Sequence, residues 1–478
     1  MKPRRAPTST SSFGVSRREN HDASSFYARF APPELSDDDE VMPPAAIDAI
    51  YCGDARSMTE VADSSVALMV TSPPYFAGKD YETVLGEGHV PASYVEYLEG
   101  LEAVFAECAR TLEPGGRLAV NVANLGRKPY RSLAADVVTI LQDRLRLLLR
   151  GEIVWVKGRG STGSCAWGSF QLAANPVLRD LSERVIVASK GRFNRALDPE
   201  ERVQAGLPYD SSLTRDEFME ATTDVWELPS ERATQVGHPA PFPVALPERL
   251  IHLYTYRDDL VLDPYMGSGS TAVAAVRAGR HFVGYDTDPG YVATAKERVA
   301  AERERLTVAV DRPTEVAREV GSRRAVETGG PIDEVERALR EGLAAVDVAA
   351  QVLQAAGFVD IEAKARVAKG VKVSYRALDH RQRPWLFEVV GGYTTGSAAL
   401  RSDGLWRALG RAAVAREHEP KAQFVLLATA PVPTGSPAGS AVRAATGPDR
   451  VVTAVLVLHD PADRERLAQF ASGGESNL

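Results

Sequence analysis

The chain is poor in cysteine, in positive charge and in long apolar stretches, and each shortage removes a class of protein. Its three cysteines among 478 residues, Cys52, Cys108 and Cys165, are odd in number and far apart. They suggest neither a disulfide framework nor a clustered zinc site, so reduced thiols and no metal are expected. No apolar run approaches the roughly 20 residues of a membrane helix, and the opening Met-Lys-Pro-Arg-Arg lacks the apolar block of a secretory signal. A cytoplasmic protein without membrane contact is expected. A formal charge of −8 is no polycationic footprint, so any nucleic-acid contact has to be local.

What is present begins with a Ser-, Pro- and Arg-containing stretch, residues 1–45, with the acidic run "SDDDE"; a flexible arm is expected there. From residue 46 to 304 short continuous apolar runs alternate with helical periodicity. The runs are "IDAIYC", "VALMV", "RLAVNV", "EIVWV", "RVIVAS", "LVLD" and "HFVGYD". Strands apolar on both faces are covered on both faces, which predicts a doubly wound α/β domain around a mostly parallel, seven-stranded sheet. Helices are expected over 94–112, 131–149, 244–256, 270–278 and 289–304. In the first, Tyr94, Tyr97 and Cys108 fall on the core-facing stripe and read as packing residues. The rhythm fails over 195–235, a polar interruption suited to substrate recognition. Residues 305–335 read as a linker and 336–470 as a smaller α/β domain with strands "VKVSYRAL", "PWLFEVV" and "QFVLLATA".

Two loops carry the chemistry. "DPYMGSGST", Asp263 to Thr271, follows the apolar "LVL" and opens a helical run, the place where a doubly wound sheet puts a cofactor. Gly267 and Gly269 allow close backbone approach, and the following helix turns its amides toward the ligand. The absence of a lysine after the glycines and the aspartate that opens the loop argue against a nucleotide phosphate. Asp286, ending "HFVGYD", is placed to accept hydrogen bonds from ribose hydroxyls. The pattern fits a ligand with a ribose and a cationic amino-acid end. The second loop is "TSPPY", Thr71 to Tyr75. Two prolines cannot continue a sheet ladder and hold Ser72 extended, so a buried strand ends in a rigid turn presenting a hydroxyl and an aromatic ring.

"DPYMGSGST" and "TSPPY" together resemble the amino-methylating DNA methyltransferases, with the permuted motif order of the β group, over residues 47–304. "GDA" at 53–55, "IVWVKG", "WGSF", "NPVLRDLSERVIVASKG", "DVWEL" and "HPAPFPVALPERLI" extend the match. The resemblance implies a Rossmann-like fold and S-adenosylmethionine as cofactor, held by Asp263, Pro264, Tyr265, Gly267, Ser268, Gly269 and Asp286. Phe242, Pro243 and Asp54 are implied near it, and duplex DNA is the implied partner. The catalytic loop is Ser72, Pro73, Pro74 and Tyr75. An exocyclic amine on a base is a poor nucleophile because its lone pair is delocalised into the ring. Acceptors from the Ser72 side chain and the Pro73 carbonyl favour a pyramidal nitrogen, without metal or covalent intermediate. Tyr75 is expected to stack on the extruded base. A leading serine is more usual in enzymes making N4-methylcytosine, whereas Asp or Asn mostly accompanies N6-adenine methylation; cytosine is favoured and adenine is the alternative. A non-catalytic DNA-binding or assembly protein on the same scaffold is the alternative of another class, and RNA or protein substrates stay open.

Arg127, Lys128 and Arg131, then Lys157 and Arg159, then Lys190 and Arg192 form the local basic patches that could meet DNA, against the plainer reading of solvated loop charge. A restriction or defence nuclease is a possible partner. "GVKVSYRALDHRQRPWLFEVVGGYTTG" faintly resembles the core hairpin of restriction-endonuclease-like folds. Lys372 and Ser374 stand where an acid is needed, and Val390 replaces the lysine after Glu388, so a metal-dependent nuclease site is not expected. In the helix over "SAALRSDGLWRALGRAAVARE", Leu405, Trp406, Leu409 and Ala413 are expected on one face, with Arg407 and Arg411 opposite.

Overall fold

The computed structural model describes residues 34–75, 94–124, 130–157, 178, 181–209, 212–213, 215–229, 242–311, 344–392, 402–432, 437–447 and 449–473. The chain divides into two compact units: residues 1–209 with 224–308, and 210–223 with 309–478.

In the first unit the strands are β1 (Ala49–Cys52), β2 (Val66–Thr71), β3 (Leu112–Val122), β4 (Leu148–Val156), β5 (Ser182–Ser189), β6 (Val225–Glu227), β7 (Leu260–Asp263) and β8 (His281–Asp286). They form one sheet in the order β1-β8-β7-β2-β3-β5-β4-β6. The five strands from β1 to β3 run parallel, β5 is antiparallel to both its neighbours, and β6 joins β4 in parallel. The helices that flank the sheet include α1 (Tyr94–Thr111), α2 (Leu133–Val138), α3 (Ala245–Tyr254), α4 (Ser270–Ala278) and α5 (Pro289–Asp311). Successive side chains of a strand point to opposite faces, and β2 is buried along its whole length. Met69 accordingly joins Leu101, Phe105 and Cys108 of α1 in one apolar cluster, while Leu68 and Val70 join Leu246 and Leu250 of α3 and Ala272 of α4 in the other. Each such large side chain contributes roughly 1.5–3 kcal/mol on burial. These two layers are the physical content of a doubly wound sheet.

Three features differ from the expectation. The sheet has eight strands rather than seven; the eighth, β6, is only three residues long, too short for a periodic signal. The helix expected over 131–149 ends early: α2 passes into a π-turn, Thr139–Arg144, and β4 already begins at Leu148. Arg146, at φ 56°, turns the chain between them. At the other end α5 continues to Asp311, past the expected start of the linker at 305.

Described residues of the polar stretch 195–235 attach to other parts of the chain. Arg195 joins Glu113 (2.6 Å) and Asp259 (2.5 Å), Arg202 joins Asp259 (2.8 Å), and residues 225–227 enter the sheet as β6. Residues 210–223 group instead with the second unit. There a short helix, Arg215–Ala221, meets the start of α6 (Ala345–Ala356): Arg215 pairs with Asp347 at 2.8 Å, and the Ala345 amide donates to Asp216 at 3.0 Å.

The second unit is built on strands β9 (Val359–Ala363), β10 (Arg366–Ala368), β11 (Val371–Lys372), β12 (Tyr375–Leu378), β13 (Pro384–Val390), β14 (Gln423–Ala428) and β15 (Ala454–Val457). Five form a sheet in the order β15-β14-β13-β12-β9, and β10 pairs with β11. The expected hairpin is β12–β13. At its open end the backbone amide and hydroxyl of Ser374 donate to Glu388 Oε2 (3.1 and 3.3 Å), and Arg411 pairs with Oε1. Glu388 is thus occupied by a hydroxyl and a guanidinium. In the helix carrying Arg411, α7 (Ser402–His418), the buried face is Leu405, Ala408, Ala412 and Ala415. Trp406 and Ala413, expected on it, are exposed; the stripe follows the small alanines that let α7 lie close to the sheet. Arg411 belongs to the Glu388 pair rather than to a face open to phosphates.

Candidate active site

Strands β2 and β7 are parallel neighbours, with Met69 opposite Leu262. The residues that follow each therefore emerge side by side at the carboxyl edge of the sheet. Asp263, the last residue of β7, is fully buried and ties the two loops together. Its Oδ1 accepts from the Thr71 hydroxyl at 2.6 Å and from the Tyr265 amide at 3.1 Å, and its Oδ2 from the Thr271 hydroxyl at 2.6 Å. Burial raises its pKa to about 6, against these hydrogen bonds. The expectation that this carboxylate meets a cationic ligand group is corrected: its oxygens are turned inward and serve as a brace. Segments separated by 192 positions are joined directly.

The glycine loop is shaped by the backbone. Gly267 (φ 50°) and Gly269 (φ 87°) take left-handed conformations, and a Cβ on Gly269 would lie 2.9 Å from Ala295 Cβ and 3.0 Å from its Cα. Only glycine allows this approach to α5. The Gly267 amide donates to Asp286 Oδ2 (2.8 Å) and the Asp288 amide to Oδ1 (2.9 Å); the carboxylate is half-buried, and burial raises its pKa. Ser268 is buried, and Arg298 donates to both its carbonyl and its Oγ at 2.8 Å. Arg298 was not anticipated, since one arginine in a charged helix carries no pattern. Pro264 is buried and Tyr265 half-buried. On the far side of β8, the Gly53 amide donates to the Asp286 carbonyl (2.9 Å), which brings the turn containing Asp54 to the same edge. Asp54 itself binds Arg56 at 2.8 Å. Phe242 and Pro243 are buried ahead of α3, with Phe242 in the cluster that contains Met266 of the loop.

In the catalytic loop Ser72 is half-exposed, whereas Pro73 and Tyr75 are buried. The Tyr97 hydroxyl donates to the Pro74 carbonyl at 2.5 Å, so this α1 tyrosine also fixes the loop besides packing. Tyr75 is 6% exposed and sits in the core cluster with Tyr97 and Leu133. This is a correction to the stacking expectation: its ring is packed in the core, and its hydroxyl is committed. It lies 2.6 Å from Ser72 Oγ and donates to Glu183 Oε2 at 3.0 Å. Asn121 Nδ2 donates to Glu183 Oε2 (2.6 Å) and Tyr75 Oη (3.0 Å) and lies 3.4 Å from Ser72 Oγ. Among the described residues the buried Asn121 Oδ1 has no hydrogen-bond partner. Lys157 Nζ donates to Glu183 Oε1 at 2.7 Å. Burial foremost, and the Glu183 carboxylate next, hold the Tyr75 phenol well above its ordinary pKa, so it stays protonated.

Lys157, read from sequence as a DNA contact, is therefore part of this cluster. Arg127, Lys128 and Arg159 lie outside the described residues. The remaining basic candidates have partners in the protein: Arg131 with Asp136 (2.8 Å), Lys190 with the Leu112 carbonyl (2.6 Å) and Arg192 with the Asp38 carbonyl (2.9 Å). Among the described residues no group of three or more His, Cys, Asp or Glu could hold a metal, and no helix is long and apolar enough to cross a membrane.

A doubly wound sheet whose neighbouring strands deliver a glycine loop and a Ser-Pro-Pro-Tyr turn to one edge is the catalytic domain of a Rossmann-like methyltransferase. Residues 66–297 match the N6_N4_Mtase family, described as DNA methylase, and the domain belongs to this family of DNA amino-methyltransferases. The chain is similar to the Type II methyltransferase M.ScaI of Streptomyces caespitosus, 27% identical over 54% of this chain and 83% of that protein. It is likewise similar to M.MjaI of Methanocaldococcus jannaschii, 27% identical over 54% and 92%. A solved structure of TTHA0409 from Thermus thermophilus, a DNA modification methylase by description and complexed with S-adenosyl-L-methionine, is 30% identical over 53% and 93%, with a TM-score of 0.41.

Proposed function

We propose that the protein transfers a methyl group from S-adenosylmethionine to an exocyclic amino group of duplex DNA, at N4 of cytosine, in the manner of a β-group enzyme and as the modification half of a restriction or defence pair. The observation that carries this reading is the Thr71–Asp263 bond, which ties the strand end preceding Ser72 to the residue that opens the glycine loop. The residues present fit the cofactor. Asp286 combines partial exposure with spare acceptor capacity for ribose hydroxyls, and its Oδ2 holds the amide of Gly267, which takes a left-handed conformation that glycine adopts without strain. Bound there, S-adenosylmethionine supplies an electrophilic sulfonium methyl group. Ser72 Oγ and the Pro73 carbonyl accept hydrogen bonds from the amine and draw its lone pair out of conjugation, and the brace through Asp263 fixes their direction in advance. A serine at the head of the loop favours cytosine by family resemblance; N6 of adenine is the alternative.

The test is transfer of label from methyl-labelled S-adenosylmethionine to DNA by the full chain. Ser72→Ala is expected to lose transfer while calorimetry finds cofactor binding retained. Transfer undiminished in Ser72→Ala would remove the serine from the chemistry.

A further inference from the structure

Methylation of an exocyclic amine leaves a proton to be removed, and a serine hydroxyl is a poor final acceptor for it. The cluster behind Ser72 contains a better one. A carboxylate can only accept, so the direction of every hydrogen bond leading from Glu183 is fixed by Glu183 itself. The Tyr75 hydroxyl has one proton, and at 3.0 Å it is given to Glu183 Oε2. Tyr75 Oη is then an acceptor toward Ser72, 2.6 Å away, so Ser72 must donate. With its own proton turned inward, Ser72 Oγ presents lone pairs outward, the polarity that an incoming N–H requires. Asn121 enforces the same sense, donating from one nitrogen to both Tyr75 and Glu183.

We propose that Glu183 takes the proton released in the methyl transfer, through Tyr75 and Ser72; this rests on the methyltransferase reading above and adds the proton acceptor to it. The amine lone pair forms the N–C bond while the C–S bond breaks and its electron pair stays on sulfur, leaving a neutral thioether and a cationic N-methylated base. That nitrogen gives its proton to Ser72 Oγ, Ser72 gives its own to Tyr75 Oη, and Tyr75 gives its own to Glu183 Oε2. The base and both hydroxyls end neutral, and Glu183 ends as a carboxylic acid.

Among the described residues the charged and titratable groups facing Glu183 are Lys157, directly after β4 and 2.7 Å from Oε1, and Tyr75 from the loop after β2, with Tyr97 of α1 beyond it. Arg184, the next residue of β5, is directed to Glu152 at 3.2 Å. Glu183 is 9% exposed, so bulk water does not substitute for the relay. In this account Glu183 and Tyr75 are positioning residues for Ser72 as well as the path of the proton.

The experiment compares wild type, Tyr75→Phe and Glu183→Gln in single-turnover methyl transfer to DNA, from mildly acidic to alkaline pH. Cofactor and DNA binding are measured separately, and infrared difference spectra of the product complex are recorded. Both variants are expected to bind cofactor and DNA as wild type does and to transfer about 100-fold more slowly. Their rates should rise with pH, because solvent base must now take the proton, and the double variant should be no slower than either single one. A new protonated-carboxyl band should be seen in wild type and be absent in Glu183→Gln. Tyr75→Phe keeps the ring and its packing, so a wild-type rate and pH profile in that variant would overturn the relay while leaving the methyltransferase reading intact. A loss in Glu183→Gln that follows lost DNA binding, with an unchanged pH profile, would overturn it too. Wild-type protein that transfers methyl to no DNA would overturn both.

Discussion

The brace at Asp263 has a measurable electrostatic signature. Its carboxyl is fully buried, and burial raises its pKa from 3.8 to about 6. The folded value lies above the unfolded one, so between these two values the native state binds more protons than the unfolded state. Stability from this group is therefore fully present below the unfolded pKa and is lost as pH rises through 6. The difference in pKa corresponds to about 3 kcal/mol at full ionisation. Asp263→Asn keeps the shape and one acceptor oxygen but cannot ionise. Denaturant unfolding of the two proteins from pH 4 to pH 8 should give curves that diverge in shape, the wild type losing about 2.5 kcal/mol relative to the variant over this window, since part of the full difference is already lost at pH 4. Every other titrating group is common to both and cancels in the difference. Parallel curves would mean that this carboxylate is solvated in the native state, and the direct link between the two loops would fall with it.

Two further perturbations test neighbouring parts. Gly269→Ala forces a side chain into a φ of 87° and within 3.0 Å of the Ala295 backbone; a loss of about 2–3 kcal/mol in denaturant unfolding and weaker S-adenosylmethionine binding by calorimetry are expected. Arg195→Met leaves the buried Glu113 without its 2.6 Å partner and removes one of the two guanidiniums on Asp259. Unfolding should become easier by about 3 kcal/mol or more, with no change in cofactor affinity once the protein is folded.

What could be read in advance follows from range along the chain. Seven strands were legible because each is a continuous apolar run, and the glycine loop because its residues are consecutive. The eighth strand was not, since "VWE" is too short to show a period, and the early start of β4 was hidden by "LLLR", which suits a helix as well as a strand. The cluster behind Ser72 was invisible for another reason. Tyr75, Asn121, Lys157 and Glu183 come from four different segments, and only the β2-β3-β5-β4 strand order brings them together. The available signal was weak: Asn121 inside "RLAVNV" and Glu183 inside "SERVIVAS" are polar residues in otherwise apolar strands, where an unpaired polar group is costly. Lys157 looked like a phosphate contact because a basic residue in a loop has that role as often as any other; its partner, 26 positions away, decides the matter.

The most direct test of the account is nucleoside analysis by mass spectrometry of DNA from cells expressing the wild-type chain or Ser72→Ala. N4-methylcytosine is expected in the first and absent from the second at equal levels of soluble protein. DNA carrying neither N4-methylcytosine nor N6-methyladenine, with folded wild-type protein present, would contradict it.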